Sequence, residues 1–129
     1  VDNKIALVII KAIKNTNNNV FLYVPYNSTI QKLAVKNNLK IKVEAFADRN
    51  YNSDLTLVSR KKDNALIIDD DLVITHLLKM IIERKLMTVD GVEVEIEADT
   101  FCVHGDNPSV VKILKKITNK FSIKGVKIV

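Results

Sequence analysis

The sequence predicts an α/β fold with a mostly parallel sheet and one inserted hairpin. Three observations carry this. Short β-branched or aromatic runs alternate with stretches of helical periodicity. The alternation includes strand, helix, strand with a connection short enough for one right-handed crossover. One Asp90-Gly91 pair lies between two extended runs, a strong hairpin signal. With 129 residues and 47% apolar content, the chain suits one domain with its own core.

Residues 2–14 read as a helix, with Ile5, Val8, Ile9, Ala12 and Ile13 at helical spacing. The run Asn15-Thr16-Asn17-Asn18-Asn19 stops it, because asparagine competes for backbone hydrogen bonds and prefers turns. Residues 20–24 are a short buried-type strand that Pro25 ends. Ser28 is placed to cap a second helix whose buried side holds Ile30, Leu33, Ala34 and Val35. Residues 40–47 form the next strand. A long polar loop, 48–64, follows, with a short extended piece at 55–58; Tyr51, Leu55, Leu57 and Val58 argue that it packs. After the apolar run 65–68, Asp69, Asp70 and Asp71 begin a helix to about Lys85, acidic residues suiting the positive end of its dipole. Its inner face is expected to carry Leu72, Val73, His76, Leu77, Met80 and Ile81. Runs 86–89 and 92–96 flank the Asp90-Gly91 turn, and Val92, Val94 and Ile96 alternate with glutamates, so one face is wet. Residues 100–103 are a buried strand. The last helix starts at Asn107 or Ser109, with Pro108 in its first turn and Val110, Val111, Leu114 and Ile117 facing the core. Gly125 ends it before a final strand, 126–129. The chain opens directly in a helix, which suggests a strand missing ahead of it.

Composition narrows the function classes. No run of 18 apolar residues exists to form a transmembrane helix, and the first residues lack the features of a signal peptide. A single cysteine, Cys102, excludes an internal disulfide and fits a reducing cytoplasm. The net charge is +5, but its lysines are dispersed over polar positions and no aromatic residues interleave them, which argues against nucleic acid.

Two polar stretches stand out. In Glu44-Ala45-Phe46-Ala47-Asp48-Arg49-Asn50-Tyr51, a strand carries a glutamate where an apolar residue is expected, then breaks into a loop that also holds Asp54 and Arg60. The second, Cys102-Val103-His104-Gly105-Asp106-Asn107-Pro108, ends a later strand and opens a helix. Parallel sheets place ligand groups at the carboxyl ends of strands, so the fold is expected to bring the two together. Glu44 is either a general base or a buried carboxylate paired with Arg49 or Arg60. Asp48 and Arg49 bind substrate or pair to cap the strand. Tyr51 lies in the same candidate substrate-binding group. Arg60 offers a bidentate fork for a carboxylate or begins the solvated Arg60-Lys61-Lys62 run. His104 is the leading proton-transfer candidate, with Asp106 beside it; alternatively the histidine is merely hydrogen-bonded to Asp106. His76 reads as a core or interface residue and Cys102 as a small buried hydrophobe. Two histidines on separate elements give no metal-ligand spacing.

These motifs, with Thr56-Leu57-Val58-Ser59-Arg60 and Ala65-Leu66-Ile67 between them, resemble the LamB/YcsF family, and the resemblance runs from the first helix to Val129. It implies the carboxy-terminal part of a β/α barrel of the glycoside hydrolase/deacetylase type. It also implies the A subunit of an ATP-dependent 5-oxoprolinase, which opens 5-oxo-L-proline to L-glutamate with ATP hydrolysis beside subunits B and C. The family's amino-terminal Asp-x-Asn-x-Asp-x-Gly-Glu and Lys-Pro-His-Gly-Ala-Leu-Tyr-Asn stretches have no counterpart among these residues. Two alternatives follow: an inactive fragment or interaction module that needs a missing half or forms a homodimer, and, by fold analogy alone, a metal-dependent deacetylase.

Overall fold

The computed structural model describes residues 2–16 and 19–123. The final strand expected at 126–129, the stop at Gly125, and Asn17 and Asn18 lie outside them. The chain divides into two compact units, Val1–Ala45 with Glu97–Thr100, and Phe46–Ile96 with Phe101–Val129.

In the first unit, α1 (Asn3–Thr16), β1 (Leu22–Pro25), α2 (Thr29–Lys36) and β2 (Ile41–Phe46) follow in order, and only the last residue of β2 enters the second unit. β1 and β2 are parallel, with Leu22 opposite Ile41 and Val24 opposite Val43. Ser28 caps α2 as expected, its hydroxyl accepting from the Gln31 N–H at 3.2 Å. Ala6, Ile10, Val24, Ile30, Ala34 and Leu39 form the core, with Ile9, Ile13, Leu22, Leu33, Ile41 and Val43 against it. The burial corrects the expected helix faces. Ile5 and Val8 on α1 and Val35 on α2 are exposed, and Ala12 is on the outside too. α1 is apolar around most of its girth, so its periodicity admitted two stripes. Packing selects the one containing Ala6, since Ala6 and Ala34 are both fully buried and small residues let helices approach closely.

The second unit holds α3 (Asp70–Leu78), β3 (Lys85–Met87), β4 (Glu93–Glu95), the end of β5 (Thr100–Cys102) and α4 (Val110–Ile123). The three-stranded sheet has the order β1-β2-β5. Asp69 precedes α3 as its cap rather than its first residue, and its Oδ1 accepts from the Asp71 and Leu72 N–H groups, both at 2.9 Å. The helix does not reach Lys85. It loosens into a π-helical stretch, Lys79–Glu83, and stops at Arg84, whose φ of 54° is left-handed. Lys85 instead begins β3, which pairs antiparallel with β4, Leu86 opposite Val94. Val73, Ile74, Leu77 and Met80 are the buried face of α3, whereas Leu72 is exposed. On α4, Ile113, Ile117 and Phe121 are buried at four-residue spacing, while Val111 and Leu114 face outward. Ile117 packs as expected and Val110 is half-buried, but Val111 and Leu114 give way to Ile113 and Phe121, which are equally apolar. Lys116 and Lys120 then meet Asp70 and Asp71 of α3, with Lys116 2.6 Å from Asp71. β5 is half-buried rather than fully buried. No helix among the described residues is long and apolar enough to cross a membrane.

Candidate functional site

Among the described residues of the second unit, Asp48, Arg49, Thr88 and Asn107 are buried polar residues. Two lie just past a strand end, and their positions follow from the backbone. Ala47 N–H donates to the Cys102 carbonyl at 2.8 Å, so the chain leaving β2 runs beside the chain leaving β5. Asp48, two residues beyond β2, thereby meets His104, two residues beyond β5.

Asp48 is fully buried, and its carboxylate is saturated by the second motif. His104 Nδ1 lies 2.8 Å from Oδ1. The His104 backbone N–H and Asn107 Nδ2 donate to Oδ2 at 3.1 and 3.0 Å. A carboxylate offers only acceptors, so Nδ1 is the donor in this contact, which leaves Nε2 as the ring's other nitrogen. The Phe46 ring stacks on the imidazole with centroids 5.2 Å apart and planes 25° from parallel. The His104 side chain stays 21% exposed. Its ring is therefore held at Nδ1 and on one face while part of the side chain remains accessible.

The remaining predicted residues sort by what they touch. Arg49 is buried, and its guanidinium donates from Nε to the Ala65 carbonyl at 3.0 Å and from a terminal nitrogen to the Val58 carbonyl at 2.7 Å. It ties the loop together. Burial, then the neighbouring Arg60, lower its pKa, against the pull of Asp48. Tyr51 is also buried, its hydroxyl accepting from the Phe46 N–H at 2.8 Å. Loop 48–64 is thus an ordered structure: Arg49 bridges Leu66 and Tyr51 bridges Leu57, with a short 3-10 turn at Asp63–Ala65. Within it Leu55 adopts a left-handed φ of 66°, a conformation uncommon for an aliphatic residue. Ser53 bonds Asp90, and the Val89 N–H donates to the Tyr51 carbonyl, fastening the loop to the β3–β4 turn.

Arg60 and Asp106 pair at the surface, 2.6 Å apart and both substantially exposed. The hydrogen bond to Asp106 raises the Arg60 pKa, and the same bond holds the Asp106 carboxyl below its ordinary range. Asp106 therefore belongs to Arg60, and His104 belongs to Asp48; the alternative in which His104 leaned on Asp106 does not hold. The suggested partners of Glu44 are likewise engaged elsewhere, Arg49 by carbonyls and Arg60 by Asp106. Glu44 itself is a half-buried residue of the first unit, opposite Pro25 in the β1–β2 register. Asn107, missed as a site residue, was visible only as part of the second motif; a neutral amide gives no charge signal.

Two further groups have the residue types for chemistry. Asp69, Asp70 and Asp71 have carboxylate oxygens within 4.8 Å of one another, but Asp69 caps α3 and the other two receive Lys116 and Lys120. His76 lies under the loop with its ring centroid 6.2 Å from that of Tyr51, and its Nε2 is buried without a partner among the described residues. Burial alone lowers its pKa to about 4.

The LamB/YcsF family model matches residues 1–129. A protein from Campylobacter jejuni subsp. doylei, named as the A subunit of 5-oxoprolinase, is 39% identical over 128 residues, covering 99% of this chain and 50% of the relative. One of the same name from Bacillus cereus is 40% identical over 126 residues, covering 97% of this chain and 50% of the relative. The crystal structure of a lactam utilization protein from Thermus thermophilus superposes with a TM-score of 0.80 at 28% identity, over 94% of this chain and 49% of that one. The chain thus spans about half the length of the curated relatives it matches.

Proposed function

Because the chain belongs to the LamB/YcsF family, we propose that it serves in the hydrolytic opening of 5-oxo-L-proline to L-glutamate, coupled to ATP hydrolysis, as part of the A subunit of 5-oxoprolinase beside subunits B and C. The names of its relatives support the reaction class. The observation that carries the site is the 2.8 Å contact between buried Asp48 and His104 Nδ1. Ring opening breaks the lactam C–N bond, adds the oxygen of water to the carbonyl carbon and leaves a proton on nitrogen. In this reading His104 Nε2 moves that proton, with Asp48 orienting the ring and stabilising its charged form. Arg60 is the half-exposed guanidinium nearest in character to a carboxylate or phosphate fork, with exposed Lys61 and Lys62 following it. In this reading Asp106 is its resting counter-ion and an anion on the substrate or on ATP takes its place. Arg49 and Tyr51 act by shaping the loop. Glu44 enters as a second acid-base candidate with its own test.

The test is conversion of 5-oxo-L-proline to glutamate with ATP, measured for the chain alone and with subunits B and C. His104→Gln is expected to lower kcat on the order of 10²–10⁴-fold, and Glu44→Gln run in parallel decides whether that residue moves a proton at all. Full turnover by His104→Gln would end the assignment. A second reading rests on the half-length match: the chain is a module completed by a complementary half. Turnover that appears only when that half is supplied as a separate polypeptide would establish it.

A further inference from the structure

Asn107 is 2% exposed, and every polar group of the residue is engaged. Its Nδ2 donates to Asp48 Oδ2 at 3.0 Å and to the Ile67 carbonyl at 3.1 Å. Its Oδ1 accepts from the Ser109 N–H at 2.9 Å. Its backbone N–H donates to the His104 carbonyl at 3.1 Å and its carbonyl accepts from the Val110 N–H at 3.0 Å. The amide has one workable orientation, because a flip would set its oxygen against a carboxylate and a carbonyl. Only part of this set concerns the entry into α4. The Oδ1 contact is an Asx turn, which serine or aspartate would make equally well. The Nδ2 contacts contribute nothing to that turn. They require an amide, and they converge on the carboxylate that holds His104.

We propose that Asn107 is a positioning residue, which clamps the Asp48 carboxylate so that it grips His104 Nδ1 and leaves Nε2 aimed at the reacting atoms. The inference rests on the reading of His104 as the proton-transfer group. Without the clamp, Asp48 retains one neighbour on Oδ2, the His104 N–H, and its side chain gains freedom to rotate. The Ile67 carbonyl, which flanks the same carboxylate through the Ile67 N–H to Asp48 carbonyl bond at 2.9 Å, loses its side-chain donor. The charges facing the imidazole are Asp48 on Nδ1 and Asp106 two residues on, the latter balanced by Arg60; Arg49 acts on Asp48 from the loop side. Asn107 is neutral, so its removal changes the geometry of these charges and not their number.

The experiment is long-range ¹H–¹⁵N spectroscopy of the His104 ring across pH, in the native chain and in Asn107→Ser, which keeps an oxygen for the Ser109 N–H but is too short to span Asp48 and Ile67. The native ring is expected in the Nδ1–H form when neutral. Asn107→Ser is expected to shift it toward the Nε2–H form, displace its titration midpoint, and lower kcat on the order of 10–100-fold with KM little changed. A folded Asn107→Ser with the native tautomer and titration overturns the proposal and leaves Asn107 a turn residue. Should that variant not fold, Asn107→Thr, which likewise keeps an uncharged turn oxygen and is too short to reach Asp48, is read the same way. If neither folds, the native chain decides: an Nε2–H ring, or Asn107 side-chain amide protons that exchange as freely as exposed ones, overturns the proposal, and an Nδ1–H ring with those amide protons protected upholds it. Turnover separates the two claims. If His104→Gln remains active, the functional reading fails, while the ring spectra still show whether Asn107 positions the imidazole.

Discussion

Both units of this chain have an apolar interior, but among the described residues the second also buries charged and amide side chains. The first fills its interior with Ala6, Ile10, Val24, Ile30, Ala34 and Leu39, side chains with nothing to hydrogen-bond. The second buries Asp48, Arg49 and Asn107 among its apolar residues and must satisfy each one. Apolar packing is forgiving of chemistry and demanding of volume. A buried polar network is the reverse, because a donor or acceptor left without its partner bears the full cost of desolvation. A carboxylate held by three N–H groups is a poor choice for stability alone, since well-packed hydrophobic residues commonly do as well. The contrast is what the proposed site in the second unit would require, a buried polar network kept for its geometry and not for stability.

The contrast breaks most visibly through a large-to-small change in the first unit. Ile10 is 1% exposed, and Ile10→Ala is expected to cost about 2–5 kcal/mol through lost burial and the cavity left behind. Amide exchange should rise in β1 and in residues 41–45 of β2. Equal protection in both proteins would show that this core is loosely packed. The next effect belongs to the polar network. Asp48→Ala leaves the His104 N–H, the Asn107 amide and His104 Nδ1 short of an acceptor, at about 1–3 kcal/mol for each group that water does not reach. Urea unfolding reads the total. Asp48→Asn, which keeps the shape and one acceptor oxygen, should recover part of the stability and none of the imidazole orientation.

A smaller, pH-dependent effect sharpens the comparison, because the first unit has no histidine to titrate. Burial depresses the His76 pKa from 6.5 to about 4. The unfolded chain then binds the proton more readily than the native one between those values. Stability is fully present above pH 6.5 and is lost as pH falls toward 4, by at most about 3.5 kcal/mol at 1.4 kcal/mol per unit. His76→Leu removes both the titration and the unpartnered Nε2. Its unfolding midpoint should fall less than that of the native chain between pH 7.5 and pH 5. Parallel pH curves for the two would place the acid sensitivity elsewhere.

How much of this was legible in the residues depended on the type of interior. Crossovers, the Ser28 cap and the two motifs could be read, because that serine and the polar breaks after strands are local signals. The exact buried stripes of α1 and α4 could not, since Ile5 and Val8, or Val111 and Leu114, are as hydrophobic as the residues that replaced them. Which stripe packs is decided by the opposing surface, and that information is non-local. The pairing of Asp48 with His104, 56 residues apart, was anticipated only as a meeting of two stretches. The assignment of partners within it was not, because sequence adjacency favoured His104 with Asp106 and composition favoured Glu44 with an arginine. Asn107 was invisible as a site residue for a related reason. Its importance comes from three acceptors and donors brought together by the fold, none of them its neighbours in charge.

The smallest expected change in stability is at the surface pair, and there the comparison turns on function. Arg60 and Asp106 are exposed, so water and salt screen their attraction and the pair adds little to the folded state despite its 2.6 Å separation. Arg60→Ala should leave the urea midpoint and the His104 tautomer as they are. If Arg60 exchanges Asp106 for a substrate or phosphate anion, the same variant should raise KM about tenfold or more, since losing a charge-assisted bond costs on the order of 1.4 kcal/mol per tenfold in binding. Asp106→Asn separates the roles further. It frees Arg60 from its counter-ion, so a resting partner predicts a lower KM, whereas a catalytic carboxylate predicts a fall in kcat. A pair that matters to neither constant, in an assay where His104→Gln is inactive, would confine the chemistry to the buried dyad and leave the arginine as an ordinary surface residue.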